Sequence, residues 1–232
     1  MVLVIDVGNT NIVLGLFEGE HLRYSWRIST RRGQTADEYG VLFRSLFSRH
    51  EVSMRGVEAV VICSVVPPLN DCFSELSRNA LGVEPCFVEP EEQSLMPIRY
   101  FQPADVGADR IVNAIAVREL YGVPAIIVDF GTATTFDAVS PEGEYLGGII
   151  APGIGISSEA LFSRAAKLPR IEIKRPEHGI GRSTVESMQS GIFYGYVGLV
   201  DGILKRMERE LKGANITATG GLARLIATEF DG

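Results

Sequence analysis

Residues 2–10 have the sequence VLVIDVGNT, in which four apolar residues lead directly into Asp6-Val-Gly-Asn-Thr10. A short apolar run that ends at a glycine predicts a buried strand followed by a tight turn. Residues 12–17 predict a second strand and residues 21–28 a third, because each is an apolar or alternating stretch bounded by turn residues. The chain should therefore begin with three strands joined by short connections.

Helices and strands alternate after these three strands. Thr35-Ala-Asp-Glu38 is a capping-box sequence, so it predicts the start of a helix. A strand is expected at residues 59–66, a helix at 71–81 that ends before Gly82, and a short strand at 85–88. This alternation is typical of the α/β class.

The second half of the chain repeats the order of the first. Residues 125–132, AIIVDFGT, are again a strand that ends in Asp-x-Gly-Thr, and strands are expected at 134–139 and 145–150. A helix over 156–168 should follow, closed by Pro169. Asp6 and Asp129 are separated by about half of the chain, which predicts a duplicated α/β lobe with the equivalent turns facing each other across a cleft. The seam is expected in the helix at 111–121, giving lobes at 1–116 and 117–232.

Composition and charge argue against several classes of protein. The formal net charge of −7 opposes a nucleic-acid surface, and short basic pairs such as Arg31-Arg32 are expected to be solvated loop charges. The three cysteines show no CxxC spacing, which favours a reduced, intracellular protein, and the three histidines show no zinc-site spacing. Neither a secretory leader nor a membrane span is evident in the sequence, so we expect a cytoplasmic protein without a membrane partner.

The two Asp-x-Gly turns have the chemistry of phosphate sites. Glycine lets the backbone approach closely, main-chain N–H and hydroxyl groups donate to phosphate oxygens, and the aspartate can hold a metal ion or its water. A single such turn is often only conformational, but two at equivalent places favour a function. Residues 216–222, ITATGGL, end a further strand with paired glycines that could admit a base or ribose, although they could also be an ordinary helix entry.

These three turns resemble the two phosphate turns and the adenosine turn of the superfamily of acetate and sugar kinases, heat-shock ATPases and actin. The resemblance implies an α/β fold of duplicated actin-like, ribonuclease H-like lobes with a nucleotide cleft between them. Within this superfamily the chain resembles the type III pantothenate kinases. Gly107-Ala-Asp-Arg110, Asp129-Phe-Gly-Thr-Ala-Thr134 and Gly147-Gly-Ile-Ile-Ala-Pro-Gly153 all stand at that family's order and spacing.

The resemblance implies phosphorylation of pantothenate to 4'-phosphopantothenate by ATP, the first step of coenzyme A biosynthesis. Asp6 would hold Mg²⁺ indirectly and Asp129 a monovalent cation, K⁺ or NH₄⁺, although a second magnesium contact at Asp129 remains open. Thr132 of the second turn would contact ATP. The residues of the first turn implied to bind the nucleotide are Asp6, Val7, Gly8, Asn9, Thr10, Asn11, Ile12 and Val13.

Asp109 is the general base that the resemblance implies. By itself it could be a helix-start carboxylate favoured by the helix dipole. Tyr100 could be a packing residue, and Thr184 lies in a capping box, Ser183-Thr-Val-Glu186. The residues implied to bind pantothenate are Tyr100, Gly107, Ala108, Asp109, Arg110 and Thr184.

The family forms homodimers, with pantothenate near the subunit interface. Residues 186–211 have helical spacing but contain Gly191, Gly195, Gly198 and Gly202, which predicts a close approach by another backbone. Packing within the chain would explain these glycines, and so would the dimer contact. Family chains generally continue further beyond Thr219-Gly220-Gly221, so a terminal strand or helix is expected to be lacking.

Two alternatives to the pantothenate kinase activity stay open on the sequence. One is a different small-molecule kinase or a phosphohydrolase of the same fold, and the Gly107-Ala-Asp-Arg110 acceptor motif counts against the hydrolase. The other is a non-enzymatic nucleotide-binding regulator. The three aspartates Asp6, Asp109 and Asp129 and the absence of an evident helix-turn-helix sequence count against it.

Overall fold

A computed structural model describes residues 1–230 of the chain, so the last two residues of the predicted C-terminal lobe lie outside the described range. The chain divides into two compact units. The first contains Met1–Gln93 and Ala104–Val112, and the second contains Ser94–Pro103 and the chain from Asn113 onward. The predicted lobe boundary after residue 116 stays a prediction.

The first unit is built on a five-stranded sheet. Its strands are β1 (Val2–Val7), β2 (Asn11–Glu18), β3 (His21–Ser29), β4 (Ala59–Ser64) and β5 (Pro85–Phe87), in the order β3-β2-β1-β4-β5. The β1–β2 and β2–β3 pairs are antiparallel, whereas β4 lies parallel to both β1 and β5. This arrangement confirms the three opening strands and the α/β class predicted from the sequence.

Helices α1 (Ala36–Ser48) and α2 (Asn70–Leu76) complete the core of the first unit. The predicted capping box is present, because the Thr35 side chain accepts from the Glu38 N–H and the Glu38 carboxylate accepts from the Thr35 N–H. Alternate residues of the strands pack with Phe43 and Phe47 of α1 and Phe73 of α2, all fully buried. The predicted helix at 71–81 is interrupted, since α2 ends at Leu76 and a π-helical turn continues to Leu81 before Gly82.

The second unit repeats the same strand order in a four-stranded sheet. Its strands are β6 (Ala125–Phe130), β7 (Ala133–Val139), β8 (Tyr145–Pro152) and β9 (Asn215–Gly220), in the order β8-β7-β6-β9. As in the first unit, the first two pairs are antiparallel and the last strand is parallel to the first. Asp6 and Asp129 each occupy the fifth position of a six-residue strand, which supports the duplication inferred from the sequence.

The helices of the second unit are α4 (Ile154–Arg164), α5 (Thr184–Glu210) and α6 (Ala223–Ala227), while α3 (Ala108–Tyr121) begins in the first unit and ends in the second. The helix predicted at 156–168 begins two residues earlier and ends four residues earlier than expected. It starts at Ile154 and ends at Arg164, because the residue before Pro169 is disfavoured in the α conformation and the chain turns at 165–168. Helix α5 packs Phe193 and Tyr196 against β6 and β7.

No helix within residues 1–230 is both long enough and apolar enough to cross a membrane.

Candidate active site

The first phosphate turn, residues 8–11, joins β1 to β2. The Gly8 N–H donates to the Asn11 carbonyl over 3.0 Å, and a Cβ at Gly8 would lie only 2.9 Å from that oxygen, so glycine is needed here. Asn9 and Thr10 are exposed at the tip of the turn, where they can meet a ligand. Val7 and Ile12 flank the turn as a register pair and bury their side chains. Only their main chains are therefore available to a nucleotide.

Asp6 and Asp109 are brought together in the first unit around Cys63. Asp6 pairs with Cys63 in the parallel register of β1 and β4. Burial raises the pKa of the Cys63 thiol, and the charges of Asp6 and Asp109 raise it further. The thiol is therefore protonated and neutral at ordinary pH, and both carboxylates favour this form. The sequence alone could not place Cys63 beside Asp6, because that position depends on the register of β4 against β1.

Asp109 lies in the first turn of α3, as predicted. Its Oδ1 accepts a 2.8 Å hydrogen bond from the Arg110 N–H, and a Cβ at Gly107 would lie 2.5 Å from the same oxygen. The glycine therefore makes room for a carboxylate that folds back over the helix start. Burial raises the pKa of Asp109, and the Arg110 N–H and guanidinium oppose this effect in part. A carboxylate that is easier to protonate suits the acceptance of a proton from an alcohol.

Ala108 and Arg110 are both buried on either side of Asp109, with 6% and 7% of their surfaces exposed. Their positions fix the start of α3, where the Arg110 N–H also donates to the Gly107 carbonyl over 3.1 Å. A buried guanidinium retains its charge and presents a planar set of donors, which is suited to a carboxylate ligand.

The second turn centres on Asp129, at the end of β6. Asn113 of α3 donates its side-chain amide to Asp129 Oδ2 over 3.0 Å. A Cβ at Gly220 would lie 2.6 Å from Asp129 Oδ1, and Gly220 has a φ of 93°. The contact of Asn113 with Asp129 was not predicted from the sequence. The position of Asn113 one helical turn after Asp109 was the available signal, because residues four apart share a helix face.

Thr132 is exposed at the tip of this second turn. The turn is packed against Gly153 at the start of α4, since a Cβ there would overlap the Thr132 carbonyl oxygen and lie 2.8 Å from that of Gly131. This contact accounts for the glycine that ends the Gly147–Gly153 motif. It fixes the backbone of the turn that presents Thr132 at the surface.

The donor atoms near Asp129 fit a monovalent cation. A carboxylate held by an amide and surrounded by glycine backbone offers the hard oxygen ligands that such ions prefer. The donors at Asp6 fit Mg²⁺, because this ion commonly uses one or two carboxylates and completes its shell with water and phosphate. Within residues 1–230, no group of three or more His, Cys, Asp or Glu side chains is placed to hold a metal ion.

Tyr100 and Thr184, the outlying residues of the predicted pantothenate site, both belong to the second unit. The Tyr100 ring packs over Gly147, where an added Cβ would lie 3.3 Å from two ring carbons. The ring is nevertheless 37% exposed, so packing leaves one part accessible. Thr184 is the exposed first residue of α5, whose N-cap is Ser183. One half of the predicted capping box is present, because the Ser183 side chain accepts from the Glu186 N–H. The other half differs, because the Glu186 carboxylate accepts from the Arg182 N–H rather than from the Ser183 N–H.

Solved structures of two other proteins share the fold of this chain. One is a Campylobacter jejuni protein provisionally described as a Baf family transcriptional activator, with a TM-score of 0.60, 20% identity, and coverage of 99% of this chain and 88% of that one. Another is the activator of the 2-hydroxyisocaproyl-CoA dehydratase of Clostridium difficile with bound ADPNP, with a TM-score of 0.56, 12% identity, and coverage of 98% and 85%. The fold is that of the actin-like ATPases and sugar kinases.

Within this class, residues 2–206 match the family model for type III pantothenate kinase. A type III pantothenate kinase of Moorella thermoacetica is 55% identical over 232 residues, all of this chain and 91% of the relative. Another, from Myxococcus xanthus, is 56% identical over 230 residues, which cover 99% of this chain and 90% of the relative. The chain belongs to the type III pantothenate kinase family.

Proposed function

We propose that this chain transfers the γ-phosphoryl group of ATP to the primary hydroxyl of pantothenate, the first step of coenzyme A biosynthesis. Membership of the family over nearly the whole chain supports this activity. The structural observation that carries the proposal is that the start of α3, with Asp109, lies beside the end of β1. A Cβ at Gly107 would lie 3.7 Å from Val65 Cγ1, and the Val65 N–H donates to the Val7 carbonyl over 3.1 Å, next to the phosphate turn. A base and a phosphate site in one place are the two elements that phosphoryl transfer to an alcohol requires.

In the proposed reaction, the Asp109 carboxylate takes the proton of the pantothenate hydroxyl. The hydroxyl oxygen bonds to the γ-phosphorus of ATP as the bond from that phosphorus to ADP breaks and ADP leaves. Such a base contributes roughly 10²–10⁴ in rate. Main-chain N–H groups beyond Gly8 in the turn, with the side chains of Asn9 and Thr10, would bind the phosphates. Asp6 would hold Mg²⁺ indirectly, through water, and Mg²⁺ neutralises phosphate charge when bound. Gly107 and Arg110 would hold the acceptor, whose carboxylate matches a guanidinium.

Three further assignments are part of this proposal. Thr132 contacts ATP, and Asp129, oriented by Asn113, binds K⁺ or NH₄⁺. Tyr100 and Thr184 contact pantothenate. The exposed part of the Tyr100 ring and the exposed position of Thr184 support the last assignment. We also place the reaction in the cytoplasm.

We further propose that the chain forms a homodimer through the glycine face of α5, defined by Gly191, Gly195 and Gly198. A Cβ at each of these positions would have no neighbour within 4 Å among the described residues beyond the local helix, so packing inside the chain does not explain them. Next to this face is a groove of 570 Å³ lined by Ile180 and Tyr194, among other residues. Ile180 is 86% exposed, an apolar surface that a second copy would cover.

The proposed activity is tested by measuring ATP-dependent formation of phosphopantothenate with Mg²⁺, comparing K⁺ with Na⁺. We expect transfer that requires pantothenate and increases with K⁺. A reaction without pantothenate is the control. ATP hydrolysis of equal rate in that control would indicate a phosphohydrolase, and ATP binding without any turnover would indicate a regulator.

A further inference from the structure

The connection between β3 and α1, residues 30–34, lies against the first phosphate turn. Thr30 Oγ1 donates to the Gly8 carbonyl over 2.6 Å, and the Thr30 N–H donates to the Thr10 carbonyl over 3.0 Å. Arg32 Nη2 donates to Asn9 Oδ1 over 2.9 Å. Three of the four residues of the turn are therefore held by this connection, which lies about twenty residues further along the chain.

The bond from Arg32 determines how Asn9 faces a ligand. A side-chain amide has one acceptor oxygen and two N–H donors. Because the guanidinium bonds to the oxygen, the Asn9 amide nitrogen is turned away from Arg32 with its donors available to an anion. The guanidinium itself carries five donors, of which one is used in this bond.

Arg32 is an exposed cation next to a turn built for phosphate. Within residues 1–230 no carboxylate lies in ion-pair range of its guanidinium. Its bonded partner on the turn is a neutral amide, so its charge is not neutralised there. An unneutralised guanidinium with free donors is well suited to a phosphate group.

Arg31 has the same side chain but a different environment. Its N–H donates to the Tyr39 hydroxyl over 3.0 Å, and the same hydroxyl donates to the Arg31 carbonyl over 3.2 Å. Its charge acts on Glu38, where it contributes to lowering the pKa of that carboxyl after the larger effect of the hydrogen bonds from Thr35. Arg31 therefore contacts Tyr39 of α1 through its main chain, whereas the Arg32 side chain contacts the phosphate turn.

We propose that Arg32 is a phosphate-binding residue that uses its charge and its bond to Asn9 to increase the affinity of the first turn for the phosphates of ATP. The inference rests on the proposed function, because it takes the turn to be the ATP site. It replaces the sequence-based expectation that both members of the Arg31-Arg32 pair are only solvated loop charges.

The test compares Arg32→Gln, Arg32→Lys and Arg31→Gln with the unchanged chain, by titration calorimetry with Mg·ATP at low and at high salt. Glutamine removes the charge and, because it is shorter than arginine, also the reach to Asn9 Oδ1, whereas lysine keeps the charge without the planar guanidinium. We expect Arg32→Gln to weaken ATP binding about tenfold at low salt. This difference should shrink at high salt, since exposed charges are screened. Arg32→Lys should recover part of the affinity, and Arg31→Gln should stay within about twofold of the unchanged chain.

Three other results of the titrations would contradict the inference or the proposed function. If Arg32→Gln binds ATP as tightly as the unchanged chain, the inference is wrong and the proposed kinase activity is unaffected. If Arg31→Gln weakens binding as much as Arg32→Gln, the effect is one of general charge and the inference is also wrong. If the unchanged chain does not bind ATP, the proposed function fails together with the inference. Thermal unfolding of all four proteins establishes that they are folded.

Discussion

At the scale of single residues, Asp109 is both the proposed general base and a buried carboxylate whose ionised form lowers the stability of the fold. Burial raises its pKa in the folded chain, so folding favours the protonated form. Its favourable contribution to stability is present below the pKa of the unfolded chain, about 3.9, and is lost as the pH rises through the higher folded value. At neutral pH, where the proposed base must be ionised, the carboxylate therefore destabilises the fold. This is a common exchange of stability for function at active sites.

Asp109→Asn should separate these two effects. We expect turnover to fall by at least about tenfold, because the amide cannot accept the proton of the acceptor hydroxyl. We also expect the variant to unfold at a higher temperature than the unchanged chain at pH 7, because the neutral amide carries no desolvated charge, and the difference should narrow toward about pH 4. The measurements are initial rates and thermal melts across this pH range. Unchanged turnover would remove Asp109 as the base, and a lower melting temperature at pH 7 would contradict the energetic argument.

At the scale of secondary-structure elements, the close approach of β9 to the end of β6 depends on Gly220. Its φ of 93° is a conformation that side chains disfavour, and a Cβ would lie 2.6 Å from both Asp129 Oδ1 and the Phe130 nitrogen. The neighbouring Gly221 has open space around its Cβ position. Backbone conformation and close packing therefore require glycine at position 220, whereas neither requires it at position 221.

Gly220→Ala should destabilise the chain by roughly 1–3 kcal/mol, since it combines backbone strain with a steric overlap in the sheet. Gly221→Ala is the matched control and should change the free energy of unfolding by less than about 1 kcal/mol. Urea unfolding of both variants measures the difference. If the two variants lose the same free energy of unfolding, the lack of space around Gly220 is not the reason that a glycine is needed there.

The sequence predicted these elements well where local patterns determine them. The apolar runs of β1 and β6, the Asp-x-Gly turns and the Thr35 capping box are all local signals, and each corresponds to the observed element. The bonds from Arg32 to Asn9 and from Asn113 to Asp129 could not be predicted in this way. They join side chains from different elements, and their geometry depends on strand register and loop path rather than on neighbouring residues.

At the scale of the whole molecule, the glycines of α5 are costly to the isolated chain. Each glycine in a helix interior costs about 1 kcal/mol relative to alanine. Gly191, Gly195 and Gly198 are exposed, and within the described residues nothing beyond the local helix packs on their Cβ positions. A contact with a second copy would give this cost a reason, because the absence of side chains lets another surface approach the helix backbone.

The proposed homodimer is tested with Gly195→Trp, which places a large side chain on this face. Glu208→Trp, at an exposed position near the end of the same helix, is the matched control. We expect the unchanged chain and the control to sediment at twice the mass of one chain, and Gly195→Trp to sediment as a monomer. Because Thr184, a proposed contact of pantothenate, begins this helix, the KM for pantothenate should rise in Gly195→Trp more than the KM for ATP. An unchanged chain that is monomeric at all concentrations would exclude the dimer, and a dimeric Gly195→Trp would place the contact on another surface.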